Sequence, residues 1–269
     1  MNAPSDRVEA RKNPALTTLI VSHSREVTSL FSGVSDVEVV SNVFRAIGRI
    51  AVDTLESCIF GRVILDRPGL ENTDTVARIV KTLSPAIEVM HGDSGIPAGE
   101  AREKEEILSL NPQILIVDDE PSIRESLSEI LDFKGYVAEG AADGHEAIGK
   151  VIYRKFLGHE YKMILMDLKL KPDLHGAEAA CFIDGLPPEF RVCSSLSYIS
   201  AFLSTVNVDR HGEVRETGDF SLMHRFEHLN FIRSLHKPVD VEELLQLVSE
   251  GIATHDLGGF LADEDSQKP

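Results

Sequence analysis

The chain has 269 residues, 42% of them hydrophobic, which is enough for two packed domains of ordinary size. Its formal net charge of −17 argues against electrostatic binding to nucleic acid or to an anionic membrane, since both need clustered Lys and Arg. Cys58, Cys181 and Cys193 are scattered, odd in number and without metal-ligand spacing, so they read as apolar fillers in a reducing compartment.

Residues 1–15 are polar and read as a flexible N-terminus. There is no signal-peptide core, and no apolar run approaches the ~18 residues of a membrane-spanning helix, so a cytoplasmic protein is expected. Over residues 16–95, strands alternate with helices. Leu19-Ile20-Val21, Val37–Val40, Val63-Ile64-Leu65 and Ile87-Glu88-Val89-Met90 read as strands. Val43, Phe44, Ile47, Ile50 and Ala51 share one helix face, and Val76, Ile79, Val80 and Leu83 share another. This alternation predicts a parallel sheet covered by helices. The first strand ends in Ser22-His23-Ser24, and Asp66 follows the third. Residues 96–111 form a linker. The stretch Gly99–Glu106 is rich in helix formers, with Ile107, Leu108 and Leu110 behind it, and predicts a solvated connecting helix too short for a coiled coil.

Residues 112–253 form a second unit. The run Ile114–Val117 is a short buried strand that ends abruptly in Asp118-Asp119-Glu120-Pro121, where Pro121 suits a helix first turn. Ile123, Leu127, Ile130 and Leu131 line that helix, and Gly135 is placed to stop it. Gly144–Phe156 is a second helix. Met163–Met166 is another buried strand, ending in Asp167. Tyr198–Thr205 is the best candidate for a fourth strand. From Val206 to His228 the chain is longer than a compact unit needs. Asp209-Arg210-His211-Gly212 is turn-like, and Phe220–Asn230 reads as helical. There His224 and His228 stand at i and i+4 with Glu227 between them, but ten histidines in an acidic chain will pair by chance. Phe231–His236 is a last strand leading to Lys237-Pro238. A helix follows, capped by Asp240 with Glu243 three residues on and striped by Val241, Leu244, Leu245 and Val248. Residues 254–269 read as an acidic tail.

Open α/β sheets place their sites beyond the carboxyl ends of the strands, at the point where strand order reverses. In the order 2-1-3-4-5 the strands ending at Val117 and Met166 are neighbours, so Asp118, Asp119 and Asp167 converge on one crevice. Gathered like charges call for a cation, and hard oxygen ligands with room for water suit Mg2+. Lys237, at the end of a third strand, can reach the same crevice.

The acid pair, the lone aspartate after a strand and the Lys-Pro, in this order on these elements, resemble the receiver domain of two-component response regulators over about half the chain. The resemblance implies two flavodoxin-like, doubly wound α/β domains in tandem, the first a degenerate receiver-like unit without the acid pair or the lysine. It implies that Asp167 accepts a phosphoryl group from a histidine kinase or phosphotransfer protein, as in a phosphorelay. It also implies that Asp119, Asp167 and the carbonyl of Lys169 hold Mg2+, with Asp118 acting through water, and that Lys237 pairs with the phosphoryl oxygens. Receivers carry a switch hydroxyl at the end of the fourth strand. Ser204 fits best, with Ser195, Ser200 and Thr205 as competitors. Three departures stand out. The glycine after Asp167, Gly176, comes one residue late; Lys169 and Lys171 make that loop basic; and Ser234 stands where an aromatic residue is usual.

No stretch is left for a DNA-binding output, so signalling through protein contact is expected, with an unknown downstream protein or a second copy of the chain as partner and no nucleic acid or membrane. The chain is not expected to be an enzyme beyond self-catalysed transfer and autodephosphorylation. A Mg2+-dependent aspartyl-phosphate phosphatase is the alternative, but such enzymes place a second acid two residues after the nucleophile, where Lys169 stands here. An inactive receiver scaffold is the third reading.

Overall fold

The computed structural model describes residues 17–56, 59–66, 70, 72–92, 112–170, 174–192, 195–200, 206–208, 214–216 and 231–265. The first unit runs β1 (Thr17–Val21), α1 (Arg25–Phe31), β2 (Val37–Val40), α2 (Val43–Glu56), β3 (Phe60–Asp66), α3 (Thr73–Leu83) and β4 (Glu88–Gly92). Its four strands are parallel in the order β2-β1-β3-β4.

The second unit runs β5 (Ile114–Val117), α4 (Pro121–Phe133), β6 (Ala138–Ala141), α5 (Gly144–Phe156), β7 (Met163–Asp167), α6 (Gly176–Asp184) and β8 (Ser195–Ser200). It continues with β9 (Val206–Val208), β10 (Val214–Glu216), β11 (Phe231–His236) and α7 (Val241–Asp265). Its main sheet is parallel in the order β11-β8-β7-β5-β6, which is the doubly wound 5-4-3-1-2 order. The fold class is therefore two parallel-sheet α/β units in one chain.

Strand alternation sorts the core into two layers. Ile114, Ile116, Met163 and Leu165 face Leu127 and Leu131 of α4 and Leu244, Leu247 and Val248 of α7. Leu115, Val117, Ile164 and Met166 face the other way, onto Ala147, Ile148, Val151 and Ile152 of α5 and Ala179, Ala180 and Ile183 of α6. This second layer does not stop at the unit. It is continuous with Ile47, Ile50, Val76 and Ile79 of α2 and α3 and with Leu19, Val21, Val63 and Leu65 beneath them. Helices of both units are thus packed between the two sheets.

Several elements differ from expectation. The fourth strand of the second unit spans Ser195–Ser200, three residues earlier than Tyr198. The run from Ser195 to Thr205 mixes serines with apolar residues without a strict period of two, so its pattern did not fix one window. Ser204 and Thr205, the rest of that expected strand, lie outside the described residues. So do residues 1–16, the expected linker and the segment with Glu227, His224 and His228. The last helix does not give way to a tail at Thr254 but runs on to Asp265, where Leu257, Phe260 and Leu261 keep a helical spacing of apolar residues. Val206–Val208 and Val214–Glu216 pair antiparallel, flanking the expected turn at 209–212.

Candidate active site

Each acidic residue of the crevice is placed by a buried strand. Val117 pairs with Met166, so the residues after them, Asp118 and Asp167, emerge side by side. Asp167 in turn pairs with Ile199 on β8, and Ser200 pairs with His236 on β11, which delivers Lys237 to the same end of the sheet. A cis peptide joins Lys237 to Pro238.

Nζ of Lys237 donates to Oδ2 of Asp118 and to Oδ2 of Asp167, both at 2.6 Å. The two carboxylate side chains are 2% and 8% exposed, and the lysine side chain is 15% exposed. The remaining oxygens are held from the backbone. Oδ1 of Asp118 accepts from the Glu120 amide at 2.9 Å, and Oδ1 of Asp167 accepts from the Lys169 amide at 3.0 Å. One carboxylate oxygen from each of Asp118, Asp119 and Asp167 lies within 4.8 Å of the others. Burial alone would depress the Lys237 ammonium, but hydrogen bonds to Asp118 and Asp167 and their charges outweigh it and raise its pKa above the ordinary lysine value.

Two further residues shape the site: Arg124, which the sequence did not single out, and Gly176, which it did. Arg124, one turn into α4, donates to the Asp118 carbonyl at 2.5 Å and holds the acidic loop from behind. Its side chain lies where a Cβ at Gly140 would come within 3.2 Å. Gly176 opens α6 against the carbonyl of Asp167, where a Cβ would come within 1.8 Å. The late glycine is therefore a steric requirement of this loop. Of the hydroxyl candidates, Ser195 lies opposite Met163 at the far end of the sheet, and Ser200 lies at the crevice end.

The oxygen set suits a small hard cation. Three carboxyl groups and one shared ammonium converge in a largely buried crevice, and all the metal-donor atoms are oxygen.

At the equivalent place in the first unit, Asp66 is held by a serine. Oγ of Ser22 donates to Oδ2 of Asp66 at 2.6 Å and accepts from the Ser24 amide at 3.1 Å, and Ser22 and Asp66 are both buried.

Residues 114–197 match the family described as response regulator receiver domain. The chain is 24% identical over 141 residues to sporulation initiation phosphotransferase F of Bacillus subtilis (strain 168), a match covering 52% of this chain and 94% of that protein. Among solved structures, it resembles a CheY-like receiver domain protein from Methanospirillum hungatei JF-1. That match has 24% identity and a TM-score of 0.41, over 55% of this chain and 98% of the other. It also resembles the receiver domain of sensor histidine kinase PA1611 from Pseudomonas aeruginosa PAO1, solved with a magnesium ion in its active-site cleft. There the identity is 25% and the TM-score 0.39, over 53% and 98% of the two chains.

Proposed function

Since this chain carries a response regulator receiver domain, we propose that its second unit takes a phosphoryl group onto Asp167 and signals by protein contact. A carboxylate oxygen of Asp167 attacks phosphorus on a phosphohistidine of a kinase or phosphotransfer protein. The new P–O bond forms as the P–N bond breaks, and the imidazole nitrogen leaves with the electron pair and takes a proton from solvent. Hydrolysis by water later returns the free carboxylate and inorganic phosphate.

The observation that carries this reading is the Lys237 ammonium shared at 2.6 Å between Asp118 and Asp167, with Asp119 beside them. Phosphoryl transfer needs positioning and neutralisation of oxygen charge rather than covalent help from the protein. Lys237 is already poised over the acceptor, and its raised pKa keeps it charged at neutral pH. Asp119, Asp167 and the Lys169 carbonyl are the residues that would hold Mg2+, with Asp118 through water. When bound, the ion adds positive charge for the equatorial oxygens. The amide of Lys169 fixes the orientation of the acceptor carboxylate. The switch hydroxyl expected at the end of the fourth strand is that of Ser204, with Ser200, at the crevice end of β8, among its competitors; a hydroxyl drawn towards the new charge is the local event a switch needs.

Incubation with acetyl phosphate and Mg2+, followed by intact-mass measurement, tests the proposal. A single phosphoryl adduct that disappears in Asp167→Asn is expected. An undiminished adduct in that variant would move the acceptor elsewhere, with Asp66 the first residue to examine.

A further inference from the structure

The contact between the units has an internal two-fold character. Asn42-Val43-Phe44-Arg45-Ala46-Ile47-Gly48-Arg49 opens α2, and Asp143-Gly144-His145-Glu146-Ala147-Ile148-Gly149-Lys150 opens α5. Each helix has a glycine at the sixth helical position, and each glycine is pressed onto the second residue of the other helix. A Cβ at Gly48 would come within 1.9 Å of the His145 carbonyl oxygen, and one at Gly149 within 1.7 Å of the Phe44 carbonyl oxygen. Residue i on one helix meets residue j on the other, and j meets i, which is the mark of an isologous interface. Phe44 also packs edge-on against Tyr153, with ring centroids 5.3 Å apart, and Lys150 sits over its ring at 5.3 Å.

Such a surface could in principle pair with a copy of itself. The charges at the helix N-termini decide against that. Each helix has a capping residue, Asn42 or Asp143, that accepts from its own first-turn amides. The third helical residue of each helix reaches the cap of the other. Nε of Arg45 lies 3.5 Å from Oδ2 of Asp143, and the Glu146 side chain, which also pairs with Lys150 of its own helix at 3.2 Å, hydrogen-bonds Asn42. Two receiver units paired the same way would set Glu146 against Asp143 twice. Two first units would set Arg45 against Asn42 twice, aiming cations at helix N-termini, where the dipole disfavours them. Only the mixed pair joins an acid to a base and an acid to an amide.

We infer that the first unit is a tethered, charge-matched partner for α5 of the receiver, and that it occupies a surface from which the N-terminal charges exclude a second receiver. Specificity here is a difference between pairings, set as much by the repulsion in the wrong ones as by attraction in the right one. The inference stands on the interface alone and does not require Asp167 to be a phosphoacceptor.

The test uses the full chain with a protease recognition sequence inserted between residues 93 and 111 and cut after folding. Size exclusion and native mass spectrometry should show the two pieces held together in a 1:1 complex, with no paired receiver pieces. Arg45→Glu sets a carboxylate against Asp143 and should weaken the complex about tenfold. Adding Asp143→Asn keeps a good cap, removes the repulsion and should restore most of that loss. Separation of the wild-type pieces at micromolar concentration would overturn the inference. So would receiver pieces pairing with one another, or an Arg45→Glu complex within about twofold of wild type.

Discussion

Replacing Lys237 with Met removes the cation shared by Asp118 and Asp167 while keeping a side chain of similar reach. The two carboxylates are nearly buried, and oxygens of Asp118, Asp119 and Asp167 lie within 4.8 Å of one another. Two unit charges at 4.8 Å repel by about 3.5 kcal/mol at an effective dielectric near 20. Removing one partner of a buried ion pair costs about 3–5 kcal/mol. The ammonium is partly open to solvent, which screens some of this, so a loss of about 3 kcal/mol is expected in the absence of metal. Mg2+ should return most of it, because an ion present at about 100 times its Kd stabilises the folded state by about 2.7 kcal/mol, and in the variant no ammonium competes for the same oxygens. Urea unfolding followed by circular dichroism, in EDTA and in excess Mg2+, measures both quantities. The reasoning fails if the variant in EDTA lies within about 1 kcal/mol of wild type, or if Mg2+ stabilises wild type and variant equally.

The folded-state pKa of Lys237 is raised, so its contribution is complete below the ordinary lysine pKa of about 10.4 and is lost as pH climbs through the folded value. The stability gap between wild type and Lys237→Met should therefore narrow only above about pH 10.4, as read by unfolding curves across alkaline pH. Gly149→Leu drives a side chain into the Phe44 carbonyl and should cost about 3 kcal/mol, with faster hydrogen exchange in both α2 and α5; faster exchange in α5 alone would mean that the helices do not support each other. Ser200→Ala should leave the phosphoryl adduct intact while reducing the change in hydrogen exchange that phosphorylation causes in β8 and β11. An unchanged response would remove Ser200 from the switch.

The crevice was legible in the sequence because two of its strands are short apolar runs that end in a carboxylate and a third strand ends at Lys-Pro. Ile114–Val117 stops at Asp118, Met163–Met166 stops at Asp167, and Phe231–His236 stops at Lys237. The helix at Gly144–Phe156 was equally plain, since Asp143 caps it and its apolar spacing is regular. Other elements carry little local signal. Ala138–Ala141 is a strand by virtue of its pairing with β5, because Ala-Glu-Gly-Ala has no β-branched residue. Helix α6 begins at a glycine, a residue that usually ends helices, for the sake of the Asp167 carbonyl. The contact of α2 with α5 joins residues about a hundred apart. Its one trace in the sequence is the repeated Ala-Ile-Gly followed by a base at Ala46–Arg49 and Ala147–Lys150, a signal that gains meaning only when both glycines are seen at one crossing.

The central claim is that phosphoryl chemistry belongs to Asp167 and not to the buried Asp66. Borohydride reduction of the acetyl phosphate-treated chain converts an aspartyl phosphate to homoserine, and peptide mass spectrometry then locates it. Homoserine at position 167, dependent on Mg2+ and absent at position 66, is the expected result. Homoserine at 66, or at neither position under conditions that give an intact-mass adduct, would contradict the account.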